Sequence, residues 1–436
     1  MAAQHSLRAG AAEVDITPEI GAALAGSLRR RVSDGVLDPL HARAVVFESG
    51  GIRMAIILLD VIVIGNEDAA SARRNVGEVL GIPAEQVCIC CTHTHSGPST
   101  LEMFESPREK EFLTTRLIPG VEKASRLALE QLQPARAAWA NGWEPRAGFN
   151  RRHHMRDGSV KMNPGYENPD VVKVAGPTDP QIPMLLIESV SGEPIALIAN
   201  FSLHYIGGFV GDVISADYFG QFAALMKESK GEKFVALLTH GASGDINNID
   251  VSQRPPPREP GEQVRTVAGW MRDHALEAWE KAEFAEEVAV ACNQRIHEQG
   301  VRKLVGREID EAQEQWENES LDMVDRLYGR ERLELLKWPD TVPMPVQAFR
   351  VGDFAAATMT GEIFCRYGLD LKNASPFSAT ALIELANGYG GYVPTRVDYD
   401  LGGYETWLAR SAFATPGTGE ALVVEAAKSL KELWSG

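Results

Sequence analysis

The stretch ARAVVFESGGIRMAIILLD, Ala42 to Asp60, decides the architecture. Two apolar runs flank Gly50-Gly51, and paired glycines between such runs mark a two-residue hairpin turn, because both central positions need positive φ. A helix is expected around Ala69 to Leu80, followed by a third apolar strand, VCICC, that runs into THTH at 92–95. The same order (strand, tight turn, strand, helix, strand) recurs twice. The second copy reads PMLLIES, the turn Ser191-Gly192, EPIALIANFSLH, a helix from about Asp217 to Lys230, and FVALLTHGASGD. The third reads PVQAFR, the turn Gly352-Asp353, FAAATMTGE, a helix from about Ile363 to Lys372, and TALIELANGYGGY. The expected fold class is therefore α/β: mixed central β-sheets flanked by helices, built from repeated hairpin-helix-strand units.

The repeat places polar residues at equivalent strand ends. Asp60, His204 and Glu362 follow the second strand of the three copies; His93, His240 and Tyr389 follow the third. In open α/β sheets, ligands bind beyond strand ends, where loops carry chemistry on a rigid frame.

Two segments fall outside the repeat. Asn141 to Pro180, rich in Gly, Pro, Arg and His, reads as a long ordered loop, and Arg146, Arg151, Arg152 and Arg156 with His153 and His154 make it a candidate local basic pocket. Residues 261 to 332 read as helices packed on the sheet, with Trp270, Trp279, Leu321 and Leu327 as buried points. GEALVVEAAKSLKELW at the end is amphipathic and reads as a closing helix. No domain linker is evident, so one domain is expected across residues 1–436.

Composition excludes several classes. A net charge of -17 argues against a nucleic-acid surface, which needs clustered Lys and Arg. No apolar run approaches the roughly 18 residues of a transmembrane segment. MAAQHSLRAG has no apolar core, so a cytoplasmic location is expected from the absence of a visible signal peptide, or export if a signal was removed beforehand. Cys88, Cys90, Cys91, Cys292 and Cys365 are odd in number and clustered, which fits buried strand residues in a reducing compartment rather than disulfides.

THTHSGP, Thr92 to Pro98, is the sharpest chemical signal. His93 and His95 share a face while the strand lasts, and Ser96-Gly97-Pro98 turns the chain beside them. A lone His-x-His pair fits a buried hydrogen-bonded pair equally well. His204 and Glu362, at matching positions in the other copies, change that balance. Two histidines and a carboxylate around an open position form the usual catalytic zinc arrangement. Asp60 and Asp245 are expected to orient the histidines, Asp217 to cap its helix, and His240 is a weaker candidate.

AAEVDITP at 11–18, THTHSGP, the strand ending in His204, SADYFG at 215–220, SGDIN at 243–247, TGE at 360–362 and NGYGGYVPTRVDYDLGGYE at 387–405 follow one another as they do in the neutral/alkaline ceramidases, whose N-terminal catalytic domain the chain resembles along essentially its whole length. The resemblance implies one Zn2+ ion per chain held by His93, His204, Glu362 and Tyr392. It implies catalytic roles beside the metal for His95, and for Arg151 and Tyr404 in holding substrate and developing negative charge. The additional β-rich domain that follows in ceramidases is not expected in this chain. One position departs from the family: Asn247 stands where ceramidases carry the serine of GDxS. An amide cannot act as that nucleophile, so Asn247 is expected to orient water or substrate, and ceramide itself is not assigned.

The sequence thus points to a zinc-dependent hydrolase that cleaves an amide (N-acyl) bond of a small-molecule or lipid-like substrate by metal-activated water. Two alternatives stay open: a hydrolase or lyase of carbohydrate-like or ester substrates, with the arginine-rich loop receiving an anionic group, and a non-catalytic metal-stabilised binding protein. The oligomeric state is not set by the sequence.

Overall fold

A computed structural model of the protein describes residues 6–435. Eight strands form the larger sheet: β1 (Arg8–Asp15), β2 (His41–Ser49), β3 (Ile52–Leu59), β4 (Val87–Cys91), β5 (Gln133–Trp143), β6 (Gln181–Ser189), β7 (Pro194–Phe201) and β8 (Val235–His240). Their order across the sheet is β8-β7-β6-β5-β1-β2-β3-β4. The two halves join where Arg8 and Ala9 pair with Pro134 and Gln133. A second sheet has the order β9 (Val290–Gly300), β10 (Thr341–Val351), β11 (Phe354–Thr358), β12 (Ala379–Ile383).

The three sequence units are three copies of one topology. In each, an antiparallel hairpin is followed by a helix and a third strand parallel to the hairpin's second: β2-β3-α1-β4, β6-β7-α3-β8 and β10-β11-α7-β12, with α1 at Asn66–Leu80, α3 at Asp217–Lys230 and α7 at Cys365–Ala374. The turns carry the positive φ the glycines predict: 58° and 82° at Gly50 and Gly51, 89° at Gly192, 63° at Gly352. α1 stops at Gly81, which takes the left-handed cap position at φ 67°. The third helix begins two residues later than expected, because Glu362 and Ile363 are extended and pair with Tyr392 and Val393.

Strand alternation builds the layers. Met54, Ile56 and Leu58 of β3 pack with Phe349, Phe354 and Ile383 of the second sheet, while Ala55, Ile57 and Leu59 face α1 and α2 (Ile118–Glu130). In the other half, Leu186, Leu197 and Leu238 face α3 and α4 (Glu262–Glu280). Val346, Ala355 and Ala357 of the second sheet face α7 and α8 (Thr418–Ser435). The result is helices, sheet, sheet, helices. Cys88 and Cys90 belong to the layer between the sheets and Cys91 to the helix side; all five cysteines are free.

Two expectations are corrected. Residues 261–332 are not all helical: α4, α5 (Arg307–Glu317) and α6 (Met323–Glu334) are interrupted by β9, paired with β10 along its length. Trp270 and Trp279 are partly buried and Leu327 is buried, but Leu321 is exposed. Residues 141–180 contain the end of β5 and a small sheet of Arg152–Met155 between Val160–Met162 and Val171–Val174. Among the described residues, no helix is long and apolar enough to cross a membrane.

Past β12 the chain crosses the ends of the other two parallel pairs. The Glu384 amide donates to the His240 carbonyl at 3.0 Å, and Asn387 exchanges bonds with Ile89 of β4 at 2.7 and 3.0 Å. The carboxyl ends of all three third strands therefore meet between the sheets.

Candidate metal centre

His93 does not lie on β4, which ends at Cys91. It sits two residues beyond, at φ 64°, a backbone region costly for a residue with a Cβ. Its amide donates to Val61 O at 3.0 Å. This strained turn, rather than strand alternation, brings the His93 and His95 rings to 5.1 Å. Asp217, Leu385 and Asn387 also have positive φ and belong to the same surroundings.

Hydrogen bonds fix the ring tautomers. His93 Nδ1 lies 2.8 Å from the Ile62 carbonyl and His95 Nδ1 3.0 Å from that of Gly26. Each Nδ1 must carry the proton, so in the neutral ring each Nε2 presents a lone pair inward. Burial lowers the His93 imidazole, but Glu362 beside it outweighs burial and holds it above its ordinary value. His95 Nε2 is 2.7 Å from His204 Nε2, which must therefore donate. His204 Nδ1 is left with a lone pair, 3.4 Å from an Arg151 amine and 3.9 Å from Glu362 Oε2. Glu362 Oε2 lies 3.5 Å from His93 Nε2, and is buried without a hydrogen-bond partner. The other oxygen, Oε1, accepts from the Tyr389 hydroxyl at 2.9 Å.

The geometry fits a divalent cation. Ligand atoms about 2.0–2.1 Å from one tetrahedral ion lie roughly 3.3–3.4 Å from each other. The separations of Glu362 Oε2 from the two nitrogens are close to that edge. Among the described residues, His93, His95 and His204 also offer nitrogens within 4.8 Å of one another. The 2.7 Å between His95 and His204, however, is a hydrogen bond, too short for two ligands of one ion. His93, His204 and Glu362 are the better set, with His95 bonded to one of them.

The electrostatics agree. Burial raises the Glu362 carboxyl, but His93, Tyr392 and Arg151 outweigh it and hold it at about 2. Burial and then His93 push His95 down to about 3, so it is neutral near pH 7. Burial beside Glu362 pushes Tyr404 up to about 12 and Tyr392 well above its ordinary value.

A cavity of about 130 Å³ opens onto this cluster. His93, His95, Glu362, Tyr392 and Tyr404 line it; Arg151, His204 and Asn247 do not. Arg151 is buried and donates to Glu405 Oε1 and to the Gly244 carbonyl, both at 2.8 Å, its guanidinium 5.4 Å from the Tyr392 ring. The Asn247 amide donates to Asn163 at 3.1 Å and accepts from Ile249 N at 3.0 Å.

Three expectations about supporting groups do not hold. Asp60 accepts from His41 N and Arg43 at 2.8 and 2.7 Å. Asp245 accepts from Cys365 N and Asn150, each at 2.7 Å. Neither touches a histidine ring. Asp217 makes no cap and accepts from the His95 amide at 3.2 Å. The basic pocket also dissolves: Arg146 pairs with Glu144, Arg151 and Arg152 with Glu405, and Arg156 lies 3.7 Å from Asp170. Conversely, the sequence reading gave no role to Tyr389 on Glu362, nor to Glu384, which bonds His240, Ser243 and the Ile363 amide at 2.7, 2.8 and 2.6 Å. The first tyrosine in NGYGGY and the Glu just past β12 were the available signals.

Fold and site together define a four-layer α/β protein with an imidazole–carboxylate centre at converging strand ends. No protein-family model matches it. The chain is 25% identical over 237 residues to neutral ceramidase A of Dictyostelium discoideum, a match spanning 50% of this chain and 32% of that protein. It is 23% identical over 496 aligned positions to the neutral ceramidase of Pseudomonas aeruginosa, spanning 98% and 72%. The crystal structure of neutral ceramidase from Pseudomonas aeruginosa superposes with a TM-score of 0.75 at 19% identity, covering 99% of this chain and 75% of that one. A ceramidase complexed with C2 gives the same TM-score and identity, covering 99% and 76%. The chain is thus similar to neutral ceramidases along its length and shares the fold of their solved structures.

Proposed function

We propose that the protein is a metal-dependent hydrolase of N-acyl (amide) bonds, with one divalent ion, zinc by its donor set, held by His93, His204, Glu362 and Tyr392. The observation that carries this reading is the buried, unpartnered Glu362 Oε2 facing the lone pairs of His93 and His204. A buried carboxylate oxygen left without a partner costs stability unless a cation completes it. The ion, when bound, supplies a Lewis-acidic centre that polarises a carbonyl and acidifies water.

The chain's own residues do the rest. Tyr389 orients the Glu362 carboxylate through Oε1, leaving Oε2 free. His95, neutral and hydrogen-bonded to His204, lines the cavity; its Nε2 lone pair can take a proton from the attacking water and then hand that proton to the leaving amine. Tyr404, kept protonated by burial, offers a hydroxyl donor toward a developing oxyanion. Arg151, out of the cavity and tied to Glu405, acts on the site through its charge and its contact with His204. Asn247, with its amide already engaged, supports the loop around Asn163 rather than attacking substrate. Ceramide, the substrate in the names of the relatives, is one N-acyl compound among those to be tried.

Metal analysis of the purified protein with hydrolysis of an N-acyl panel before and after chelation tests the reading. About one ion per chain and activity abolished by chelator are expected. Glu362→Gln should lose the ion and at least a hundredfold in kcat/KM, about 3 kcal/mol of barrier. Undiminished hydrolysis by metal-free protein would sink the proposal.

A further inference from the structure

The cavity has two chemically distinct sides. The strand ends supply His93, His95, Glu362 and the tyrosines; the loops after them supply Leu28, Leu101, Met103 and Phe104. Phe104 forms part of the apolar wall. It is a buried aromatic residue at φ 51°, and strain of this kind persists only where the surroundings enforce it. The enforcing groups come from α6. The Phe104 amide donates to Glu331 Oε1 at 3.0 Å, Arg330 donates to its carbonyl, and its ring meets Tyr328 edge-on at 5.5 Å. Glu331 is itself buried and takes a two-pronged bond from Arg410 at 2.7 and 2.8 Å, next to the cavity residue Ser411. The wall is thus pinned from behind by a buried ion pair rather than left free to swing.

The space it bounds is small. A cavity of about 150 Å³ accommodates one benzene-sized molecule, so about 130 Å³ has room for a group of roughly four to six heavy atoms. We infer that Phe104 sets acyl length and that the site takes a short acyl group, acetyl to about hexanoyl, in place of a long lipid chain. This rests on the N-acyl hydrolase reading for its chemistry, but the wall and the space are independent of it.

Straight-chain carboxylates from acetate to decanoate, the acyl products of such a reaction, test the inference by calorimetry on the metal-loaded protein. Affinity should rise to butanoate or hexanoate and fall at least tenfold by decanoate. Phe104→Gly, which suits the left-handed backbone, and Leu101→Ala should each raise the decanoate-to-butanoate affinity ratio at least tenfold. A gain of long-chain binding cannot come from misfolding. Decanoate binding as tightly as butanoate in the unaltered protein, a ratio unmoved in either folded variant, or no binding by any carboxylate would overturn the inference. Hydrolysis of N-acyl 4-nitroanilides of the same lengths separates the two proposals. Length-blind hydrolysis defeats the acyl-length inference and leaves the hydrolase reading. A binding cut-off with no hydrolysis of any amide does the reverse.

Discussion

Two regions of this protein carry dense clusters of ionisable side chains, and they differ in one respect. In the segment from Glu144 to Asp170, every arginine of the cluster meets a carboxylate: Arg146 with Glu144, Arg151 and Arg152 with Glu405, Arg156 with Asp170. Around His93, Glu362 is a buried carboxylate whose Oε2 has no hydrogen-bond partner, and His240 Nε2 has none either. The buried unpartnered atom of the arginine segment, Arg152 Nε, belongs instead to a guanidinium already paired with Glu405 and Asp398. Buried polar groups are satisfied in nearly all native structures, and an unpartnered carboxylate oxygen facing two imidazoles is an exception that a cation would complete. Charge density alone marks scaffolding as readily as chemistry.

Substitutions can break or sharpen that contrast. The largest stability effect should come from Glu405→Gln, which strips the shared counter-charge from two buried arginines. A loss of about 3–5 kcal/mol is expected in denaturant unfolding, and a change under 1 kcal/mol would mean that the pairing is not structural. Glu13, far from the site, gives an intermediate effect with a pH signature. Burial raises its carboxyl, but Arg43 and Lys227 outweigh burial and hold it below its ordinary value. A lowered folded value adds stability above the unfolded value and loses it as pH falls through the folded one. Glu13→Gln should therefore cost about 0.5–1 kcal/mol at pH 7, discounted for partial exposure, and nothing once the carboxyl is protonated in acid. A difference that persisted in acid would contradict the ion-pair account. The smallest effect belongs to Arg156→Ala, whose pair with Asp170 is exposed on both sides. A change below about 0.5 kcal/mol is expected, and a larger one would show that loop to be more tightly coupled than its contacts indicate.

The repeat was legible because its signals are local: glycines at the hairpin turns, apolar runs, and polar residues where the runs stop. β9 was not. VACNQRIHEQG is polar and half-exposed, and it is a strand because β10 pairs with it residue for residue. His93, His204 and Glu362 could be nominated from position and resemblance, since each follows an apolar run. Their supports could not. Asp60 and Asp245 also sit at strand ends, but which atoms a carboxylate meets there depends on distant residues such as Arg43 and Cys365. Asp217 follows helix-start logic in sequence, yet its φ of 52° turns the side chain to the His95 amide.

Anomalous diffraction at the zinc edge from crystals of the zinc-loaded protein tests the centre most directly. A single peak is expected about 2.0–2.2 Å from His93 Nε2, His204 Nδ1 and Glu362 Oε2, with Tyr392 adjacent. A peak bound through His95, or no peak between these side chains at full zinc loading, would contradict the account.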